Sequence, residues 1–210
     1  MTDNKSLGLH QRIPLDILLQ AIQAVLEDKL DEERLVELIA TEYAGENRQR
    51  KGVHQIRTTI INNPILEYCK EHKVEVLSAI KSESDRNLIL SAVIVARYPF
   101  CFDLFGILAN QFRLQDEINT DLILRLLGAK YGANKSVYNV QINAVAQMLE
   151  AGLIQRKTVG VYTFPGALKA NHKITYEIWK ESYYINVPLA NRDDSECIFF
   201  EPYFRYIDLL

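Results

Sequence analysis

The sequence is poor in most of the features that would mark a specialised chain. Nine glycines and six prolines in 210 residues exclude a collagen-like repeat and a low-complexity linker protein. The three cysteines, Cys69, Cys101 and Cys197, are an odd set with no short spacing between them. That argues against a disulfide framework and a zinc knuckle, and suits a reducing compartment. No apolar run approaches the 18 or more residues of a membrane span; the greasiest, Leu88 to Ala96, already contains Ser91. The opening MTDNKSLGLH lacks the basic-then-apolar pattern of a secretory signal. These absences predict a cytoplasmic protein with no membrane partner.

Chemistry-bearing motifs are missing too. There is no phosphate-binding loop, no dinucleotide glycine fingerprint, no HExxH and no CxxC, and His10, His54, His72 and His172 have no metal-ligand spacing. The carboxylate clusters Asp31-Glu32-Glu33 and Asp193-Asp194 fit a helix start and a solvated loop. We therefore expect no catalytic site, no metal and no cofactor. Positive charge is not in excess either. Lys and Arg number 24 against 27 Asp and Glu, a net charge of −3, so nucleic-acid binding would have to rest on a local patch.

What the chain does hold is helical periodicity on a 48% hydrophobic background. Residues 14–30 carry Leu15, Leu18, Leu19, Ile22, Val25 and Leu26, a stripe at helical spacing behind Pro14. Asp31 is placed to cap a second helix that Gly45 closes. A third runs from about 47 to 61, and Asn63-Pro64 starts a fourth over 64–81. The segment 88–96 is apolar all round, which suits the centre of a bundle. Tyr98-Pro99 breaks the pattern and is the expected domain boundary.

Beyond it the order changes. Helices are expected over 103–113 and 120–128, the latter capped by Thr120, and over 136–150 after a turn at Tyr131-Gly132-Ala133-Asn134. Gly152 ends the last of these, and 153–164 reads as a hairpin turned by Gly160. Short helices, a glycine end and a hairpin are the order of a winged helix-turn-helix. The string Ser136 to Ile154 followed by Gln155 to Tyr162 resembles the recognition helix and wing of many winged-helix regulators. The expected fold class is therefore mainly α: an N-terminal helical bundle (1–98), a winged helix-turn-helix with a small β-hairpin wing (99–173), and an extension (174–210).

A helical wheel at about 100° per residue puts Val137, Tyr138, Ile142, Ala144, Val145, Met148 and Leu149 on one side. Ser136, Asn139, Asn143, Gln147 and Glu150 fall on the other, with Gln141 the misfit among the apolar residues. Asn and Gln can pair bidentately with an adenine edge in the major groove, whereas an idle surface helix usually shows Lys and Glu. Charge agrees: residues 129–173 contain Lys130, Lys135, Arg156, Lys157, Lys169 and Lys173 against Glu150 alone. The DNA-binding residues expected here are Lys135, Ser136, Asn139, Asn143, Gln147, Arg156 and Lys157. A second basic segment, Arg48, Arg50, Lys51 and Arg57 around His54, lies on the third helix. It could contact the nucleic-acid backbone or pair with the acidic first two helices.

Taken together, the Asn/Arg-rich third helix, the apolar helix ending in Arg97-Tyr98-Pro99, the Phe/Leu-rich helix after it and the ending Glu150-Ala-Gly-Leu-Ile154 resemble the BrxA family. Its members are small accessory proteins of bacterial BREX phage-defence systems. The likeness covers roughly residues 12–165. It implies a NusB-like helical part, a winged helix, binding of double-stranded DNA, and other defence-system proteins as partners. Two other readings stay open: an RNA-binding antitermination-type factor leaning on Arg48, Arg50 and Lys51, and a scaffold subunit. The tail from residue 174 gathers Tyr176, Trp179, Tyr183, Tyr184, Phe199, Phe200, Tyr203, Phe204 and Tyr206. Aromatics so clustered either fold back on the chain's own core, the expected outcome, where they could also complete a homodimer, or anchor a partner.

Overall fold

A computed structural model describes residues 7–132, 135–190 and 197–209; Ala133 and Asn134 of the expected turn and the acidic run 193–196 lie outside them. The described residues are mainly helical. Helices α1 (Leu15–Leu26), α2 (Glu32–Glu42), α3 (Glu46–Ile60), α4 (Pro64–Glu71), α5 (Lys73–Ala79) and α6 (Glu83–Arg97) come first. They are followed by α7 (Pro99–Gln111), β1 (Glu117–Asn119), α8 (Thr120–Tyr131), α9 (Lys135–Glu150), β2 (Gln155–Thr158) and β3 (Val161–Thr163). Last come β4 (Leu168–Ala170), α10 (Lys173–Asn186), two 3-10 turns and β5 (Ile207–Leu209).

Local chemistry sets most of these boundaries. The Asp31 side chain accepts from Arg34 N at 2.6 Å and opens α2, and the Asn63 side chain accepts from Ile65 N ahead of Pro64. Asn119, not Thr120, caps α8, accepting from Leu122 N at 2.8 Å. The helix expected over 64–81 is two, because the chain turns at His72 between α4 and α5. Both helix residues flanking Tyr98 are continuous with it in chain direction only: α6 and α7 are bent by 120°. No single helix among the described residues is long and apolar enough to cross a membrane.

Helix α6 is the hub. Every residue from Leu88 to Ala96 is buried, and α1, α3, α4, α7 and α10 pack around it. An all-round apolar helix needs such all-round cover. Strands β1, β3 and β2 form an antiparallel sheet in that order, with Ile118 opposite Tyr162. Periodicity did not reveal β1, which is three residues long with only Ile118 buried. A second, parallel pair joins β4 to β5.

The tail folds back. Trp179, Tyr203 and Tyr206 are fully buried, and Trp179 stacks on Tyr203 at 4.6 Å between ring centroids. Tyr206 meets Phe105 of α7 edge-on at 5.4 Å and donates to its carbonyl. Helix α10 has no side-chain cap of its own at His172. Asp85 of α6 supplies one across the fold: its Oδ1 accepts from His172 N at 3.1 Å and from Thr175 Oγ1 at 2.6 Å, and its Oδ2 from Asn171 Nδ2 at 2.9 Å.

Two predictions follow from this packing. Trp179→Ala should cost about 3–5 kcal/mol and lower the melting temperature by roughly 10 °C; a calorimetric scan checks it. Burial alone would raise the Asp85 carboxyl, but donors from Thr175, Asn171, Ser82 and His172 outweigh it and hold the group at about 2. With the folded value below the unfolded one near 4, this contribution of about 2 kcal/mol is complete above pH 4. It is lost as pH falls towards 2. Asp85→Asn should flatten that acid limb in a urea-melt series from pH 6 to pH 2, and an unchanged limb would remove Asp85 as its source.

Candidate nucleic-acid interface

The site grows out of an irregular segment, residues 8–14, that leads into α1 and lies between α3 and α9. An irregular segment packed against helices must have its backbone groups paired by something other than a ladder. Leu9 N and His10 N donate to the carbonyls of Leu7 and Gly8, Tyr43 donates to the Arg12 carbonyl, and other side chains supply further partners. On the α3 side, Gln55 accepts from His10 N at 3.2 Å and donates to the Gly8 carbonyl at 3.2 Å and to Tyr98 Oη at 2.6 Å. Gly8 has φ +67°, and a Cβ there would stand 2.6 Å from the Tyr98 ring, so only glycine fits.

On the other side α9 does the same work. Asn143 donates to the Leu9 carbonyl at 3.2 Å and Gln147 to the Ile13 carbonyl at 2.6 Å. Glu150 accepts from Leu15 N at 2.9 Å, at the amino end of α1, while its second oxygen stands 3.2 Å from Arg12. Leu9 and Ile13 meanwhile sit in the core.

This corrects the wheel. Gln147, expected on an outward amide face, is 4% exposed and committed to Ile13, so it cannot reach a base edge in this conformation. Asn143 is half-buried and shares that role. Tyr138 and Ile142, expected on the inner side, are 48% and 44% exposed. The wheel assumes one covered face, whereas α9 is covered twice, by the protein core and by the segment 8–14. What remains open is a stripe at i, i+3, i+4 and i+7: Lys135, Tyr138, Asn139 and Ile142. Ser136, also exposed, lies beside it. Neither Tyr138 nor Ile142 was singled out by sequence reasoning, and a wheel without tertiary cover carries no signal for them.

The basic residues divide. Arg156 and Lys157 are both exposed on β2, where the register shifts between Arg156 and Thr158, but Lys157 is paired with Glu117 of β1. Lys130 pairs with Asp103 at 2.6 Å. Arg57 pairs with Glu32 of α2 at 3.0 Å, so for this residue the intramolecular alternative is realised. Arg48, Arg50 and Lys51 are exposed and take part in no ion pair among the described residues. Arg48 and Asn143 line one shallow hollow together with His10, Arg12 and Glu42. The amino-terminal half of α3 thus meets the middle of α9 across the segment 8–14, a proximity that 95 residues of intervening chain concealed.

No group of three His, Cys, Asp or Glu among the described residues could hold a metal ion. Burial pushes the Cys69 thiol up to about 12 and the Cys101 thiol higher still, so neither is a nucleophile at neutral pH. Comparison with protein-family models, with curated proteins and with solved structures found no match.

The segment 8–14 generates its own prediction. Glu150→Ala removes the acceptor for Leu15 N and the partner of Arg12, and should cost about 1–2 kcal/mol. Hydrogen exchange at the Leu15 amide should accelerate with it. Exchange as slow as in the unaltered protein would mean that Glu150 does not hold the junction.

Proposed function

We propose that this chain is a non-enzymatic accessory protein that binds double-stranded DNA, with α7–β3 acting as a winged helix-turn-helix. In that reading α9 is the recognition helix and the β2–β3 hairpin the wing, carried on a helical bundle of NusB-like kind. The observation that supports it best is the exposed stripe Lys135, Tyr138, Asn139 and Ile142 on α9. It follows a helix–strand–helix order and precedes the hairpin of the β1–β3–β2 sheet. Recognition helices of this class present their amino-terminal residues to the major groove, and the open half of α9 is its amino-terminal half.

Roles divide by chemistry. Asn139, exposed on this stripe, pairs with a base edge in this reading, and Ile142 offers an apolar contact for a thymine methyl group. Lys135, Arg156 and Arg48 supply charge for phosphates, while Ser136 can donate to a phosphate oxygen. Lys157 joins them only after giving up Glu117. The place of such a protein in a BREX-type defence system, with other defence proteins as partners, rests on the sequence resemblance.

Titrating labelled duplex DNA with the protein at several salt concentrations tests the reading. Lys135→Ala with Arg156→Ala should weaken binding to all duplexes alike and reduce the salt slope by about two, each phosphate contact contributing about 0.9. Asn139→Ala should cost about 1–3 kcal/mol at a selected site and little on random sequence. An unchanged slope would remove α9 and the wing from the interface. Single-stranded RNA bound more tightly than duplex DNA would replace the whole reading.

A further inference from the structure

On the side of the segment 8–14 away from α9, a cleft of about 460 Å³ opens against α3, lined by His10, Gln11, Arg50, Lys51, His54 and Thr58 among others. Its volume lies within the range of small-molecule sites. Its polar groups agree in kind: one guanidinium, one ammonium, two imidazoles, a hydroxyl and two amides, with no carboxylate among the lining residues. Arg50 gives one nitrogen to Asn47 Oδ1 at 3.1 Å, which steadies the guanidinium and leaves the rest of its donor fork free. Lys51 has no ion-pair partner among the described residues.

A second observation points the same way. The amide nitrogen of Gln11 is buried without a hydrogen-bond partner. Buried donors in native proteins are nearly always paired, and one carried by a side chain that lines a cationic cleft fits an acceptor-rich ligand. The cleft is also built on a rigid floor, because Gln55 of α3 fixes both Gly8 and His10 from beneath.

We propose that this cleft binds the phosphate group of a small phosphate ester of mononucleotide size. Arg50 and Lys51 take the charge, Gln11 donates to a phosphate oxygen, and His10 and His54 flank the group. The chemistry follows from what a phosphate demands: several oxygens, each accepting from a fixed donor, and balancing positive charge. The duplex-DNA reading is not required for it, since Lys135, Asn139 and Arg156 lie outside the cleft.

Isothermal titration of the full chain with AMP, adenosine and inorganic phosphate tests it, with thermal shift as a second readout. AMP should bind one to one at ligand concentrations below about 1 mM and raise the melting temperature, while adenosine should do neither. Arg50→Ala with Lys51→Ala should lower AMP affinity at least about tenfold, equivalent to about 1.4 kcal/mol. Gln11→Ala should produce a smaller loss, and Arg156→Ala no change. Should the double variant fold poorly, His54→Ala, at an exposed position, serves in its place with a severalfold loss. AMP that does not bind, that binds no better than adenosine, or that binds all cleft variants as tightly as the unaltered protein would overturn the proposal. Duplex DNA bound where AMP is not would sink the cleft and leave the α9 interface standing; AMP bound where duplex is not would do the reverse.

Discussion

The arrangement around α9 depends on one constraint: an irregular stretch of backbone, residues 8–14, packed between two helices with no strand to pair with. Its carbonyls and amides would be expensive to leave bare. Gln55, Asn143, Gln147 and Tyr43 answer several of them, and Glu150 the amide of Leu15 just beyond. Amide and carboxylate side chains that looked like a solvent-facing surface are in this way an internal scaffold, and they tie the amino-terminal bundle to α9. The apolar anchors Leu9 and Ile13 hold the same stretch from the core side.

That scaffold shapes the surface available for function. With much of the carboxy-terminal half of α9 occupied, its outward stripe lies in the first two turns, while Arg48 of α3 shares a hollow with Asn143 further along the helix. A concave cationic cleft on one side of residues 8–14 and a convex helical face on the other are both products of the same stretch. Substitutions that loosen it should therefore disturb two surfaces at once, through geometry and not through charge.

Much of the helical order was legible in the sequence because it is local. Asp31 and Asn63 cap where their spacing predicts, and the uninterrupted apolar run of α6 announced its central position. The aromatic tail, too, was readable as a segment that folds back. What could not be read is non-local. Strand β1 is too short for an alternating pattern and exists through its register with β3. The parallel pairing of β4 with β5 joins residues nearly forty apart, and α10 takes its cap from Asp85, some ninety residues earlier. The burial of Gln147 fails for the same reason: periodicity records that a residue is polar, not that a distant carbonyl is waiting for it. Arg57 and Lys157 look alike with Arg48 and Arg156 in sequence, and only their neighbours Glu32 and Glu117 set them apart.

The position of α6 has a consequence for how the chain is made. A helix greasy on every side is finished early in synthesis, while α10, which covers one of its flanks and with the residues just before it brings most of the donors to Asp85, follows only after some eighty further residues. Until then a nascent chain displays an apolar ridge with a carboxylate at its head that lacks most of its donors. Such a species favours holding by a chaperone and is exposed to self-association, and its final locking is a late, long-range event that slows folding for a largely helical protein.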